Sequence, residues 1–191
     1  MPTASTRLSR DSWIDAALDL LLQSGPDAVA VQPIARRLGA TKGSFYWHFT
    51  SRDDLLRATL ERWETVATDD VIASVESRSD DPRTRAELLV EDVTSGRSPG
   101  ELQLLAGTQH PDVAAAVERV IRRRIEYVTR LLRGAGLTPA VAQRRATLAY
   151  AAYLGYAQLA RSVPTVLPQN NRGRQAIIAE LAHVVLPSTQ P

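Results

Sequence analysis

The stretch Ile34-Ala35-Arg36-Arg37-Leu38-Gly39-Ala40-Thr41-Lys42-Gly43-Ser44-Phe45-Tyr46-Trp47-His48-Phe49 decides how this chain is read. It predicts two short helices joined by a tight turn. The first runs from about Gln32 to Leu38, with Pro33 in its first turn, where a missing N–H costs nothing. Gly39 supplies the turn and Ala35 the small residue at the helix crossing. Thr41 caps the second helix, which continues to His48. Ile34, Leu38, Ala40 and Phe45 face inward, and Phe49 also reads as core. The other side of the second helix carries Thr41, Lys42, Ser44, Tyr46, Trp47 and His48. Hydroxyls, a cation and aromatic edges suit phosphate contacts and groove packing on duplex DNA. Gly43 keeps bulk away from that side despite its cost in a helix, about 1 kcal/mol.

Working outward, an amphipathic helix from Ser9 to Ser24 precedes the motif. Its stripe is Trp13, Ile14, Ala17, Leu18, Leu21 and Leu22, and Gly25-Pro26 ends it. After the motif, Ser51 caps a longer helix reaching Ser77, with Asp53 and Asp54 in its first turn. Arg78–Pro82 is a polar break. Helices follow at 83–95, 99–109, 112–134, 139–161 and 171–186, separated by Gly96–Pro99, His110-Pro111, Gly134-Ala135-Gly136 and Pro164–Asn171. No alternating strand pattern occurs. The expectation is an all-α chain of about nine helices. A three-helix helix-turn-helix head spans 1–50, and a helical body for ligand binding and dimerisation spans 51–191.

Composition narrows the chemistry. The chain has 191 residues, 44% hydrophobic, with a net charge of only +2. Any basic footprint must therefore be local. There is no cysteine, which removes disulfides and thiolate metal sites. The three histidines, His48, His110 and His183, lie too far apart in sequence for metal-ligand spacing. No cofactor is expected. The N-terminal residues lack an apolar signal core, and the run Ala146–Ala160 is shorter than the ~20 residues of a membrane span. The chain is expected in the cytoplasm, away from the membrane. Lys42 is its one lysine.

Leu38–Phe49 followed by Ser51-Arg52-Asp53-Asp54-Leu55-Leu56 resembles the signature of TetR/AcrR-type regulators, over about 45 residues. The resemblance implies a homodimer that reads a palindromic DNA operator with one recognition helix per subunit. It also implies a small-molecule effector, unknown here, whose binding in the body releases DNA. DNA contacts map onto Thr41, Lys42, Gly43, Ser44, Tyr46, Trp47 and His48, with Arg52 at a basic position near the backbone. One departure stands out. The pattern often has Ser or Thr before the second helix, where this chain has Ala30. Gln32 is the substitute nearest to hand, and Arg36 and Arg37 add charge nearby, one of them within reach of the backbone. Arg7 and Arg10 either reach the adjacent minor groove or form a solvated tail.

In the body, Tyr150, Tyr153 and Tyr156 share one side of their helix. They either line a pocket or are ordinary core. Trp63, Gln103, Gln109, Tyr127 and Gln158 are further pocket candidates. Leu148, Ala152, Gly155 and Leu159 lie on roughly the opposite side and suit close helix approach, at a dimer interface or in a tightly packed core. Ile177, Leu181 and Val185 on the final helix extend that surface toward a four-helix contact. Arg119 and Arg122–Arg124 read as a solvated face, and His110-Pro111-Asp112 as a capping turn. The rival readings are a small helical enzyme with an appended head, and a ligand-independent activator. Against the enzyme stands the lack of any nucleophile–base set, phosphate loop or metal cluster in the sequence.

Overall fold

The computed structural model describes residues 8–94 and 101–186 and is all helical, with no strand among them. The expected punctuator Gly96–Pro99 lies outside the described residues. In chain order the helices are α1 (Arg10–Ser24), α2 (Val31–Arg37), α3 (Lys42–Tyr46), α4 (Arg52–Glu64), α5 (Asp70–Arg78), α6 (Pro82–Thr94), α7 (Glu101–Ala106), α8 (Pro111–Gly134), α9 (Pro139–Ser162) and α10 (Asn171–Val185). A π-helical turn, Thr65–Asp69, runs between α4 and α5 without a break. The single long helix expected from Ser51 to Ser77 is therefore two helices and a π-turn. An extra residue per turn of this kind often marks a functional position.

Two compact units are formed. The first takes in residues 8–65 and 101–117, so α4, α7 and the start of α8 join the three-helix head. Its core is Trp13, Ile14, Ala17 and Leu21 of α1, Ile34 and Ala35 of α2, Phe45 and Phe49 around α3, and Leu55, Leu56, Leu60 and Trp63 of α4. Leu104 of α7 and Val113, Ala116 and Val117 of α8 are buried in it too. α7 ends at a close approach: a Cβ at Gly107 would lie 2.9 Å from the ring of Pro26.

The second unit comprises residues 66–94 and 118–186 of those described. Val75, Ala86, Tyr127, Leu131, Leu132, Ala142, Ala146, Val185 and Leu186 form its buried cluster. Arg145 closes the end of α10 by donating to the carbonyls of Val185 and Leu186, both at 3.1 Å. These are orphan C-terminal acceptors that need a donor. The arginines of α8 divide. Arg122 pairs with Glu118 one turn back, and Arg123 with Asp69 at 2.9 Å. Arg124 instead turns toward the π-turn, donating to Ala67 O at 2.8 Å and Thr68 Oγ1 at 3.2 Å. The expected solvated face thus holds for Arg122 and Arg123 but not for Arg124, whose donors meet groups at the π-turn.

Candidate nucleic-acid interface and body cavity

The turn between α2 and α3 is set by one glycine. Gly39 has φ +63°, the left-handed region where other residues are strained. Its N–H donates to Arg36 O, and the Ala40 N–H donates to Ala35 O at 2.8 Å. That pair of bonds is a Schellman ending. Thr41 then caps α3, its Oγ1 accepting from the Ser44 N–H at 3.2 Å. Ala30 stands at the cap of α2 and gives no side-chain hydrogen bond, as its methyl dictates.

Phe45 anchors α3 from below. Its ring meets Trp13 edge-on at 5.5 Å, stacks with Phe49 at 5.5 Å and touches Tyr46 at 5.1 Å. Burying Phe45 fixes which residues of so short a helix face outward. Thr41, Lys42, Gly43, Tyr46 and Trp47 are exposed, while Ser44 and His48 are half-buried. Tyr46 is 57% exposed and Trp47 85%. Large aromatic surface left in water at this level needs an explanation, because packing within the chain does not use it. A Cβ at Gly43 would meet only Thr41 Oγ1, at 3.7 Å. No steric rule inside this chain therefore demands glycine there.

The surrounding charges separate into tied and untied. Arg37 is held by Asp19 at 2.6 Å, and Arg62 reaches Asp11 at 2.7 Å and Asp15 at 3.6 Å. Gln32, Arg36 and Lys42 are exposed, and neither cation has an ion pair among the described residues. Arg52 is engaged within the chain. Its Nε donates to Val29 O and its Nη2 to Pro26 O, both at 2.7 Å, and Asp53 sits at 3.4 Å. The guanidinium ties the start of α4 to the Pro26–Val29 turn, so it is a brace rather than an open cation. Arg10 lies 5.0 Å over the Phe49 ring. Arg7 lies outside the described residues.

The second unit holds a cavity of about 110 Å3 between the 67–72 segment, α6, α8, α9 and α10. Tyr127, Tyr150 and Tyr153 line it. Trp63, Gln103, Gln109 and Gln158 do not. Trp63 is buried in the first unit's core. The Gln103 amide donates to Gln23 O at 3.4 Å, Gln109 is exposed, and the Gln158 amide donates to Ser162 Oγ at 2.8 Å. Tyr156 does not line it either. Two residues assigned to the dimer surface, Leu181 and Val185, turn inward and line this cavity, because α10 packs that side on α6 and α9. Leu148, Ala152, Gly155 and Leu159 of α9 and Ile177 of α10 are exposed. Sequence reasoning missed the aliphatic walls, such as Val71, Leu89 and Val128, and missed Arg124. Helical periodicity marks an apolar face but not whether its packing leaves a gap.

Residues 14–59 match the family model described as "Bacterial regulatory proteins, tetR family". The uncharacterized HTH-type transcriptional regulator YwcC of Bacillus subtilis is 46% identical over 52 residues, 27% of this chain and 23% of that protein. The tetracycline repressor protein class D of Escherichia coli is 42% identical over 52 residues, 27% of this chain and 24% of the repressor. The matched part thus spans about a quarter of these relatives' length. Solved structures extend the likeness of fold to nearly the whole chain. The reduced form of E. coli NemR superposes with a TM-score of 0.78 at 18% identity, covering 95% of this chain and 99% of that one. SCO4454, a TetR-family transcriptional regulator from Streptomyces coelicolor, gives 0.71 at 19% identity, covering 92% and 85%.

Proposed function

We propose that this chain, which belongs through residues 14–59 to the tetR family of bacterial regulatory proteins, is a homodimeric repressor released from a palindromic operator by a small molecule. It is a transcriptional regulator with a DNA-binding helix-turn-helix. The observation that carries the finer reading is the outward face of α3. There a capped helix presents Thr41, Lys42, Tyr46 and an 85% exposed Trp47 on a rigid aromatic base. Lys42 and the hydroxyls of Thr41, Ser44 and Tyr46 hold phosphates. Trp47 packs along the groove wall, and Gly43 lets the backbone come close. Gln32, Arg36 and His48 flank this contact. Arg52 acts behind it, by holding the turn before α2 against α4.

Two such helices must lie one helical turn apart, about 34–36 Å, to read a palindrome. The exposed apolar run of α9, with Gly155 open at its centre and Ile177 beside it on α10, is the surface for the second subunit. Leu148 is 68% exposed there, which a lone chain does not need. Effector binding in the body cavity displaces the wall at Ala67–Ile72. That wall includes part of the π-turn and is continuous in sequence with α4. The effector needs only to bind the DNA-incompetent arrangement better than the competent one. The repressor sign is supported by the tetracycline repressors among the relatives. No helix among the described residues is long and apolar enough to cross a membrane, in keeping with a regulator acting on DNA in the cytoplasm.

The test is a mobility shift on the DNA flanking the protein's own gene, with Tyr46→Ala as control. A shift that is salt-sensitive, resists competitor DNA and is lost in the variant supports the reading. An unchanged shift in Tyr46→Ala overturns the role of the α3 face.

A further inference from the structure

The cavity of the second unit contains an anomaly. Tyr127 is 2% exposed and lines the cavity, yet its hydroxyl has no hydrogen-bond partner among the described residues. A buried hydroxyl almost always has one, and leaving it unmade is costly. The other walls do not explain it. Most of the lining, Val71, Ile72, Leu89, Val128, Leu131 and Leu181 among it, is aliphatic, with Thr68, Tyr150 and Tyr153 the other hydroxyl-bearing residues. Arg124 also lines the cavity and donates to Ala67 O and Thr68 Oγ1. Burial, then the carboxylate of Glu76, pushes the Tyr127 phenol above its ordinary value; Arg85 and Arg130 oppose this more weakly. The group is therefore a neutral donor near neutral pH.

We infer that this cavity takes an uncharged, mainly apolar molecule carrying one hydrogen-bond acceptor, and that the Tyr127 hydroxyl donates to that acceptor. This rests on the ligand-responsive reading above and names the chemistry of its effector. The mainly apolar walls disfavour a charged group that would be left unpaired among them, and the Arg124 guanidinium is already engaged by Ala67 O and Thr68 Oγ1. The nearby Glu76 carboxylate opposes an anion at the hydroxyl in particular. The volume, about 110 Å3, sets the scale at one ring. An apolar cavity of about 150 Å3 holds benzene. A carbonyl or ether on such a ring supplies the acceptor the hydroxyl lacks.

The test is a 19F NMR titration of the full chain, without DNA, using 4-fluorobenzaldehyde, 4-fluorotoluene and 4-fluorobenzoate. The first two are nearly the same shape and differ in the acceptor. The aldehyde is expected to bind roughly fivefold tighter than the toluene, the size of one hydrogen bond, with benzoate weakest. Tyr127→Phe should bring the aldehyde down to the toluene and leave the toluene unchanged. Val128→Phe, which fills the cavity, should abolish both. Equal binding of aldehyde and toluene to the wild type, preference for benzoate, or binding that Val128→Phe leaves intact overturns the inference. A mobility shift with saturating aldehyde separates the two readings. Binding that depends on Tyr127 but leaves DNA bound keeps the site's chemistry and sinks ligand-induced release. Release by a compound whose binding ignores Tyr127→Phe does the reverse.

Discussion

Tyr46 and Tyr127 are the same side chain in opposite settings. Tyr46 stands 57% exposed on α3, its ring edge against the buried Phe45. Tyr127 is 2% exposed on α8, under the guanidinium of Arg130 at 5.3 Å, with its hydroxyl unmatched. One wastes apolar surface in water, and the other wastes a polar atom in oil. Each is an expense that folding alone does not explain. Each fits the partner proposed for it: DNA for Tyr46, and a small apolar molecule for Tyr127.

The largest expected effect comes from removing the base under Tyr46. Phe45→Ala deletes a ring with no exposure that contacts Trp13, Tyr46 and Phe49. It should destabilise the first unit by about 3–5 kcal/mol and abolish DNA binding. Urea unfolding followed by tryptophan fluorescence reads this directly, because all three tryptophans, Trp13, Trp47 and Trp63, lie in that unit. A loss below about 1 kcal/mol would mean that α3 is not held by this ring.

Gly155→Leu comes next and tests the other outward-facing surface. Nothing among the described residues lies within 4 Å of a Cβ at Gly155. Helix propensity therefore favours the substitution within one chain, by up to about 1 kcal/mol. If a second subunit packs there, the dimer should weaken by roughly tenfold or more. Sedimentation across a concentration series separates the two. A dimer of unchanged affinity would remove this face of α9 from the interface.

Tyr46→Ala and Tyr127→Phe then pull the two tyrosines apart. The first should leave unfolding unchanged and weaken operator binding by roughly tenfold, in the range of a charge-assisted contact. The second should leave DNA binding of the free protein unchanged. It should hold or raise stability by up to about 1 kcal/mol, since it deletes an unsatisfied hydroxyl. Thermal unfolding that falls in Tyr127→Phe would show that the hydroxyl has a stabilising partner.

The head was legible in the sequence because its signals are local and dense. Thr41 and Ser51 announce caps, Gly39 announces a left-handed turn, and Phe45, in a helix only five residues long, and Phe49 just beyond it are the buried aromatics. The bracing contacts of Arg52 were not legible because its partners, the carbonyls of Pro26 and Val29, are backbone atoms and leave no mark in side-chain pattern. In the body, periodicity found the helices but not which neighbour each face meets. Leu181 and Val185 share an apolar stripe with exposed Ile177, yet they turn into the cavity. Of the glutamines chosen as polar pocket groups, Gln103 bonds Gln23 O of α1, Gln158 bonds Ser162 and Gln109 is exposed. The π-turn at Thr65–Asp69 has no proline or glycine to betray it.

The smallest expected effect concerns how α4 begins, on the chain just after the recognition face. Ser51 Oγ accepts from the Asp54 N–H at 3.1 Å, and the Asp54 carboxylate accepts from the Thr50 N–H at 2.9 Å and the Thr50 hydroxyl at 3.1 Å. The Thr50 backbone bond, helped by the hydroxyl, holds the Asp54 carboxyl below the usual carboxylate range in spite of some desolvation. A depressed folded-state value means that this contribution is complete above the unfolded aspartate range. It is lost as pH falls through the folded value. Asp54→Asn should therefore be slightly less stable than wild type at neutral pH, with the difference shrinking to nothing in strong acid. Melting curves of the two proteins from pH 7 down to pH 3 measure it. Because the group is close to solvent, salt should also narrow the gap by screening the smaller attraction of Arg57 and Arg10. A gap that stayed constant with pH would assign the effect to the shape of the side chain rather than to its charge.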